Sequence, residues 1–220
     1  GSPLLALALT REQDRCRLCE LHPRDLLQLR AHVASSGQRA IVEGSDGFAK
    51  LKALLPPPTR RGLVVVDPPY EQRADYPRVL AAMNDALSRF AGGTYVVWYP
   101  LLTRLAAHEL PRRLERIADA RWLHVTLRVC SPADDGVGLH GSGIFVVNPP
   151  WTLGDSLRVT LPYLVRVLGR DAQAGFTLRE RQERGVVDGQ STSDAHPLPR
   201  RPAETRRSVG ASRATRVLEK

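Results

Sequence analysis

Val64-Val65-Val66-Asp67-Pro68-Pro69-Tyr70 decides how the rest of the chain is read. Three β-branched apolar residues predict a buried strand. The two prolines behind Asp67 make the turn after it rigid, because each fixes its own φ and restricts the residue before it. The strand delivers a carboxylate and an aromatic ring to one spot. In open α/β sheets that spot, beyond the carboxyl end of a strand, is where ligands bind.

Outward from this corner, strand and helix alternate. Apolar spacing predicts helices over 4–9, 25–34, 47–55, 76–90, 101–118 (with a kink at Pro111) and 153–168. Alternating or continuous apolar runs predict strands over 15–21, 39–42, 63–66, 94–98, 122–129 and 144–147, the last two as an antiparallel hairpin. Ser2 is the expected cap of the first helix, with Pro3 at its first position. The pattern predicts an α/β fold, a doubly wound sheet with a hairpin at one edge, over residues 1–178. From 179 to 220 the chain is rich in Gly, Ser, Thr, Pro and Arg, with too little apolar sequence to offset the entropy of ordering it. A basic, disordered tail is expected there.

The 220 residues carry a net charge of +9, which points to a polyanionic partner, nucleic acid first. No apolar run is long enough to cross a bilayer, and the first residues lack the features of a signal peptide, so a cytoplasmic protein without membrane contact is expected. Cys16 and Cys19 form a C-x-x-C, but no second pair completes a zinc site. They are expected to be small side chains of a strand, with no metal.

Three patterns could carry chemistry. Gly136-Val137-Gly138-Leu139-His140-Gly141 matches G-x-G-x-x-G. That fingerprint binds phosphates only when a helix follows it, and here a strand is expected, so the match reads as a hairpin loop. The other two are twins: Asp67-Pro68-Pro69-Tyr70 and Asn148-Pro149-Pro150-Trp151, each after an apolar strand. An acid or amide followed by a proline carbonyl suits methylation of an exocyclic amine, a poor nucleophile because its lone pair is delocalised into the ring. The side-chain oxygen and the first proline carbonyl accept its two N–H bonds and aim the lone pair. The aromatic ring stacks on an extruded base. Only the aspartate of the two can take up the proton released, so Asp67, the Pro68 carbonyl and Tyr70 are the candidate catalytic group, and Asn148 reads as a helix entry. Two acids sit ahead of that corner. Glu20 ends the strand where nucleotide folds place a carboxylate on ribose hydroxyls, and Asp46 lies in a Gly-rich turn that lets backbone approach an adenine.

These residues carry a family resemblance. Gly1-Ser2-Pro3, Glu20-Leu21-His22-Pro23, Asp46-Gly47-Phe48, Arg60-Arg61-Gly62-Leu63, Asp67-Pro68-Pro69-Tyr70-Glu71, Trp98-Tyr99-Pro100 and Asn148-Pro149-Pro150-Trp151 follow one another in this order. As a set, over residues 1–176, they resemble the RlmJ-type bacterial 23S rRNA adenine-N6 methyltransferases. The resemblance implies a class I, Rossmann-like fold with S-adenosylmethionine as methyl donor. It implies donor contacts at Ser2, Glu20, Asp46, Gly47 and Asp67, with Asp67 catalytic, and 23S rRNA as partner of a monomeric enzyme.

The chain departs from that family at both ends. The family's first strand, Gly-rich donor loop and Lys-His pair precede the Gly-Ser-Pro with which this sequence starts, and Arg-rich sequence is expected to replace the family's closing strand after Phe176. In the class I order the first strand lies centrally, between the strands at 15–21 and 63–66. Without it both would have unpaired backbone, so this chain by itself is expected to bind S-adenosylmethionine weakly or not at all. Two other readings stay open. A DNA adenine-N6 methyltransferase would use the same corner, and a non-catalytic nucleic-acid-binding remnant would keep the charge and lose the donor site.

Overall fold

A computed structural model of the chain describes residues 1–103, 105–118, 121–133 and 138–181. Helix α1 spans Ser2–Leu9 and leads to strand β1, Cys16–Cys19. Helix α2, Pro23–Val33, starts at a proline whose missing N–H costs nothing at that position, and a short 3-10 segment, Ala34–Arg39, carries the chain into β2, Ala40–Glu43. Helix α3, Gly47–Leu54, is capped by the Asp46 carboxylate, which accepts from the Phe48 N–H. Strand β3, Leu63–Val66, then delivers the Asp-Pro-Pro-Tyr turn to helix α4, Asp75–Arg89. Strand β4 (Thr94–Leu101), helix α5 (Leu105–Ile117), strands β5 (Trp122–Arg128) and β6 (Gly141–Val147), helix α6 (Leu153–Leu168) and strand β7 (Gly175–Arg181) complete it.

The strands form two sheets. β1 and β2 make a parallel pair, and β3-β4-β6-β5-β7 a five-stranded sheet in which β3 and β4 are parallel and β6 runs against both its neighbours. One face of the larger sheet packs Val66, Tyr95, Val97, Tyr99 and Phe145 against α4 and α5, through Val79, Met83, Leu110 and Leu114. The other packs Leu123, Val125 and Val146 against Leu161 of α6. Period-2 alternation along β4 thus feeds two helical layers, as the doubly wound reading requires.

No described strand lies between β1 and β3. β1 pairs with β2 alone and β3 with β4 alone, so each presents an open edge. Leu63 and Val65, expected in the interior, are 64% and 53% exposed beside that edge. The two sheets are joined through helices, α3 packing on α4, and by the ion pair of Arg78 in α4 with Asp46, Nη2 to Oδ2 2.6 Å.

Four expectations need correction. The β5–β6 hairpin is not at the edge, because β6 is inserted between β4 and β5 and β7 takes the outer place. The Arg-rich segment after Phe176 is therefore a strand. Phe176 and Leu178 face the core while Thr177, Arg179 and Arg181 face the other way, an alternation that the arginines obscure. β4 runs through Pro100 to Leu101 where a helix was expected. Pro100 lies past Val97, the last partner of β3, so β4 has a neighbour on one side only at that point, where a proline is tolerated. Finally, Gly1 and not Ser2 caps α1, because the Ser2 hydroxyl is turned elsewhere. Gly136 and Val137 of the G-x-G-x-x-G lie outside the described residues. The part from Gly138 leads into a strand. The tail from 182 to 220 also lies outside them.

Candidate acceptor site at the end of strand β3

The Asp-Pro-Pro-Tyr turn begins where β3 ends. Asp67 is exposed, and its Oδ2 accepts a hydrogen bond of 3.5 Å from the Ser2 hydroxyl at the start of α1. Partial desolvation by the surrounding chain raises the Asp67 pKa above the usual carboxylate value, and the Ser2 hydroxyl opposes that rise. A carboxylate so placed is a stronger base than a free aspartate.

Tyr70 closes the turn in the left-handed region, φ 53°, a conformation that costs a non-glycine residue about 1 kcal/mol or more. The surroundings hold it there. The ring is 3% exposed, 4.9 Å from the Tyr76 ring and 6.1 Å from Trp98, and its hydroxyl donates to the Trp98 carbonyl at 2.7 Å. Burial raises its pKa strongly, so it stays a neutral donor. The expectation was that the Tyr70 ring stacks on a base; in the structure the ring is buried. Its ring packs between Tyr76 of α4 and Trp98 of β4, and its hydroxyl bond ties the turn to β4.

The candidate donor residues lie at neighbouring strand ends. Glu20 follows β1, half-buried, and its Oε1 accepts the His22 N–H at 2.7 Å, which leaves lone pairs for further donors. Gly47 abuts β1: a Cβ there would sit 3.4 Å from that of Cys19, the residue before Glu20. Asp46 is already engaged on both oxygens, by the Phe48 N–H at 2.9 Å and by Arg78 at 2.6 Å. The structure thus brings Ser2 against Asp67 and Gly47 against β1, while Asp46 is turned to Arg78. Arg78 itself, stacked 4.7 Å over the Phe48 ring, escaped the sequence reading, since nothing in its spacing on α4 distinguishes it from a solvated arginine. Cys16 and Cys19 lie in strand β1, as expected, and are free thiols. Among the described residues no cluster of His, Cys, Asp and Glu could hold a metal ion.

The twin motif is elsewhere. β6 runs antiparallel to β4, with Val147 opposite Tyr95, so Asn148 emerges at the opposite end of β3 from Asp67. Its Nδ2 donates to the carbonyls of Ala91 and Gly93, both at 2.7 Å, tying down the α4–β4 loop. Asn148 is a structural clamp at the entry to α6, and Trp151 behind it stands 86% exposed.

The family model described as ribosomal RNA large subunit methyltransferase D, RlmJ, matches residues 1–180. The chain is 42% identical over 178 residues to the ribosomal RNA large subunit methyltransferase J of Haemophilus influenzae and 43% identical over 164 residues to that of Escherichia coli K12. These matches take in 81% and 74% of this chain, but 63% and 58% of those proteins, so the chain spans about three-fifths of the relatives' length. A crystal structure of a Legionella pneumophila protein superposes with a TM-score of 0.74 at 31% identity, covering 81% of this chain and 65% of that one. No described helix is long and apolar enough to cross a membrane. These matches place the chain in the RlmJ family of large-subunit ribosomal RNA methyltransferases, with a class I methyltransferase fold.

Proposed function

We propose that the Asp67 corner is the acceptor side of an S-adenosylmethionine-dependent methyltransferase that modifies the exocyclic N6 amine of an adenine in 23S rRNA. The observation that carries this reading is Asp67 itself. Its carboxylate, raised in pKa and hydrogen-bonded by Ser2, sits at the carboxyl end of β3 on a turn made rigid by two prolines.

The Asp67 oxygen and the Pro68 carbonyl each accept one N–H of the amine. That arrangement favours a more tetrahedral nitrogen and directs its lone pair away from the ring. Asp67 then takes the proton that the substituted nitrogen gives up. Tyr70 keeps both acceptors in place through Trp98. The donor, when bound, supplies an electrophilic methyl group on a sulfonium. Residues to hold it are present in kind: Glu20 has free lone pairs for ribose hydroxyls, Gly47 offers backbone without a side chain to an adenine, and Ser2 lies beside Asp67. Asp46 can join them by exchanging its bond to Arg78.

Labelled-methyl transfer to 23S rRNA and to genomic DNA tests the reading, using this chain joined to the amino-terminal portion of a curated relative. Label in rRNA N6-methyladenosine is expected. Label in DNA alone would replace the substrate, and label in neither from a folded protein would reject the proposal.

A further inference from the structure

Four arginines converge on a second recess, remote from Asp67. It has a volume of about 590 Å³ and is lined by Arg112, Glu115, Arg116, Trp122, Arg179 and Arg181. Two elements build it. Arg112 and Arg116 stand four residues apart, on the same side of α5 as Glu115. Arg179 and Arg181 stand two apart on β7, opposite His124 and Trp122 of β5. Arg179 is held by Glu115, with Nη1 to Oε1 at 2.9 Å and Nη2 to Oε2 at 3.3 Å, and lies 5.7 Å from the Trp122 ring centre. Among the described lining residues Glu115 is the only carboxylate, against four guanidiniums. Arg112 and Arg116 make no ion pair among the described residues, unlike Arg179, which Glu115 holds. Trp122 Nε1 is also buried with no acceptor among the described residues. A concave site with unpaired guanidiniums is complementary to an anion with several acceptor oxygens.

We infer that this recess binds a phosphodiester of the RNA backbone, as an anchor separate from the acceptor corner. β7, its outer wall, lies four strand spacings from β3, about 19 Å across the sheet at about 4.8 Å per strand, so one folded RNA can reach both places. Backbone contacts of this kind position a substrate without reading its sequence. The identity of the RNA rests on the function proposed above; the phosphate site does not.

The test uses the 220-residue chain and a fluorescently labelled twelve-nucleotide oligouridylate, with anisotropy followed at several salt concentrations. The Arg112→Gln/Arg116→Gln double variant is compared with Arg24→Gln/Arg30→Gln, which removes the same charge from the exposed side of α2. The recess variant is expected to lose about tenfold in affinity, and its slope of log K against log salt is expected to flatten by about 1.4, two contacts at about 0.7 each. The α2 variant is expected to stay within about twofold of the parent. Equal losses from both variants, or none from the recess variant, would overturn the inference. So would competition by polyglutamate as effective as that by unlabelled oligouridylate. Asp67→Ala, made in the chain joined to the relative's amino-terminal portion, separates the two proposals, since it is expected to abolish methylation and leave this binding unchanged. Loss of binding in the recess variant alongside absent methyl transfer by that folded, extended chain would reject the enzyme reading alone.

Discussion

The hydroxyl of Ser2 donates to Asp67 Oδ2 across 65 residues of sequence, joining the first turn of α1 to the turn that ends β3. It is a direct side-chain link between the unit carrying β1 and the five-stranded sheet, and it reaches the carboxylate proposed to receive a proton. Because the hydroxyl lowers the Asp67 pKa against the effect of desolvation, Ser2→Ala is expected to raise that pKa further. Carboxyl carbon NMR titration of the two proteins checks the direction. An unchanged or lower value in Ser2→Ala would show that the contact does not act on Asp67.

Tyr70 is expected to behave as a core residue. Tyr70→Phe removes the donor to the Trp98 carbonyl and costs about 1–3 kcal/mol by leaving a buried acceptor unpaired. Tyr70→Ala empties the space between Tyr76 and Trp98 and costs about 3–5 kcal/mol. Urea unfolding measures both. Full stability in Tyr70→Ala would return the ring to the role of a base-stacking platform.

His124 provides a pH signature. Burial, and then the Arg179 charge, pull its pKa down to about 4, and its Nε2 lies 2.7 Å from the Tyr99 hydroxyl. The folded state holds it neutral while the unfolded chain protonates it near its ordinary pKa of 6.5. Its contribution therefore vanishes above about pH 6.5. As pH falls from there to about 4, stability is lost at up to about 1.4 kcal/mol per pH unit. In His124→Gln that part of the slope is expected to disappear, and a slope unchanged by the substitution would assign the acid sensitivity to other groups.

Much of this fold was legible in the sequence, because its elements have strong periods. The run 64–66, the apolar face of α4 and the alternation in β5 and β6 each name their structure. β7 was not legible, since long arginine side chains on one face mask an apolar pattern of only Phe176 and Leu178. The Asp-Pro-Pro-Tyr segment was legible as a rigid turn after a strand, yet the fate of the Tyr70 ring depended on Trp98, 28 residues away, which offers its hydroxyl a carbonyl. The ion pair of Arg78 with Asp46, and the convergence of α5 and β7 arginines, exist only through packing, for which local sequence has no signal.

The open edges of β1 and β3 lead to a further expectation. Amides of β3 that point away from β4 should exchange with solvent much faster than those of β6, which is hydrogen-bonded on both sides. Isothermal calorimetry should correspondingly find no micromolar binding of S-adenosylmethionine to the 220-residue chain. Micromolar binding, or uniformly slow exchange across β3, would mean that the donor site is complete without a strand in that place.

Asp67 is where the proposed chemistry stands or falls. This chain, extended at Gly1 with the amino-terminal portion of the Haemophilus influenzae relative, can be expressed in a bacterium that lacks its own enzyme, and N6-methyladenosine in its 23S rRNA measured by mass spectrometry. With Asp67 present the modification should be restored, and with Asp67→Ala the rate of methylation should fall about a hundredfold or more. Equal methylation by the folded Asp67→Ala protein would contradict the account.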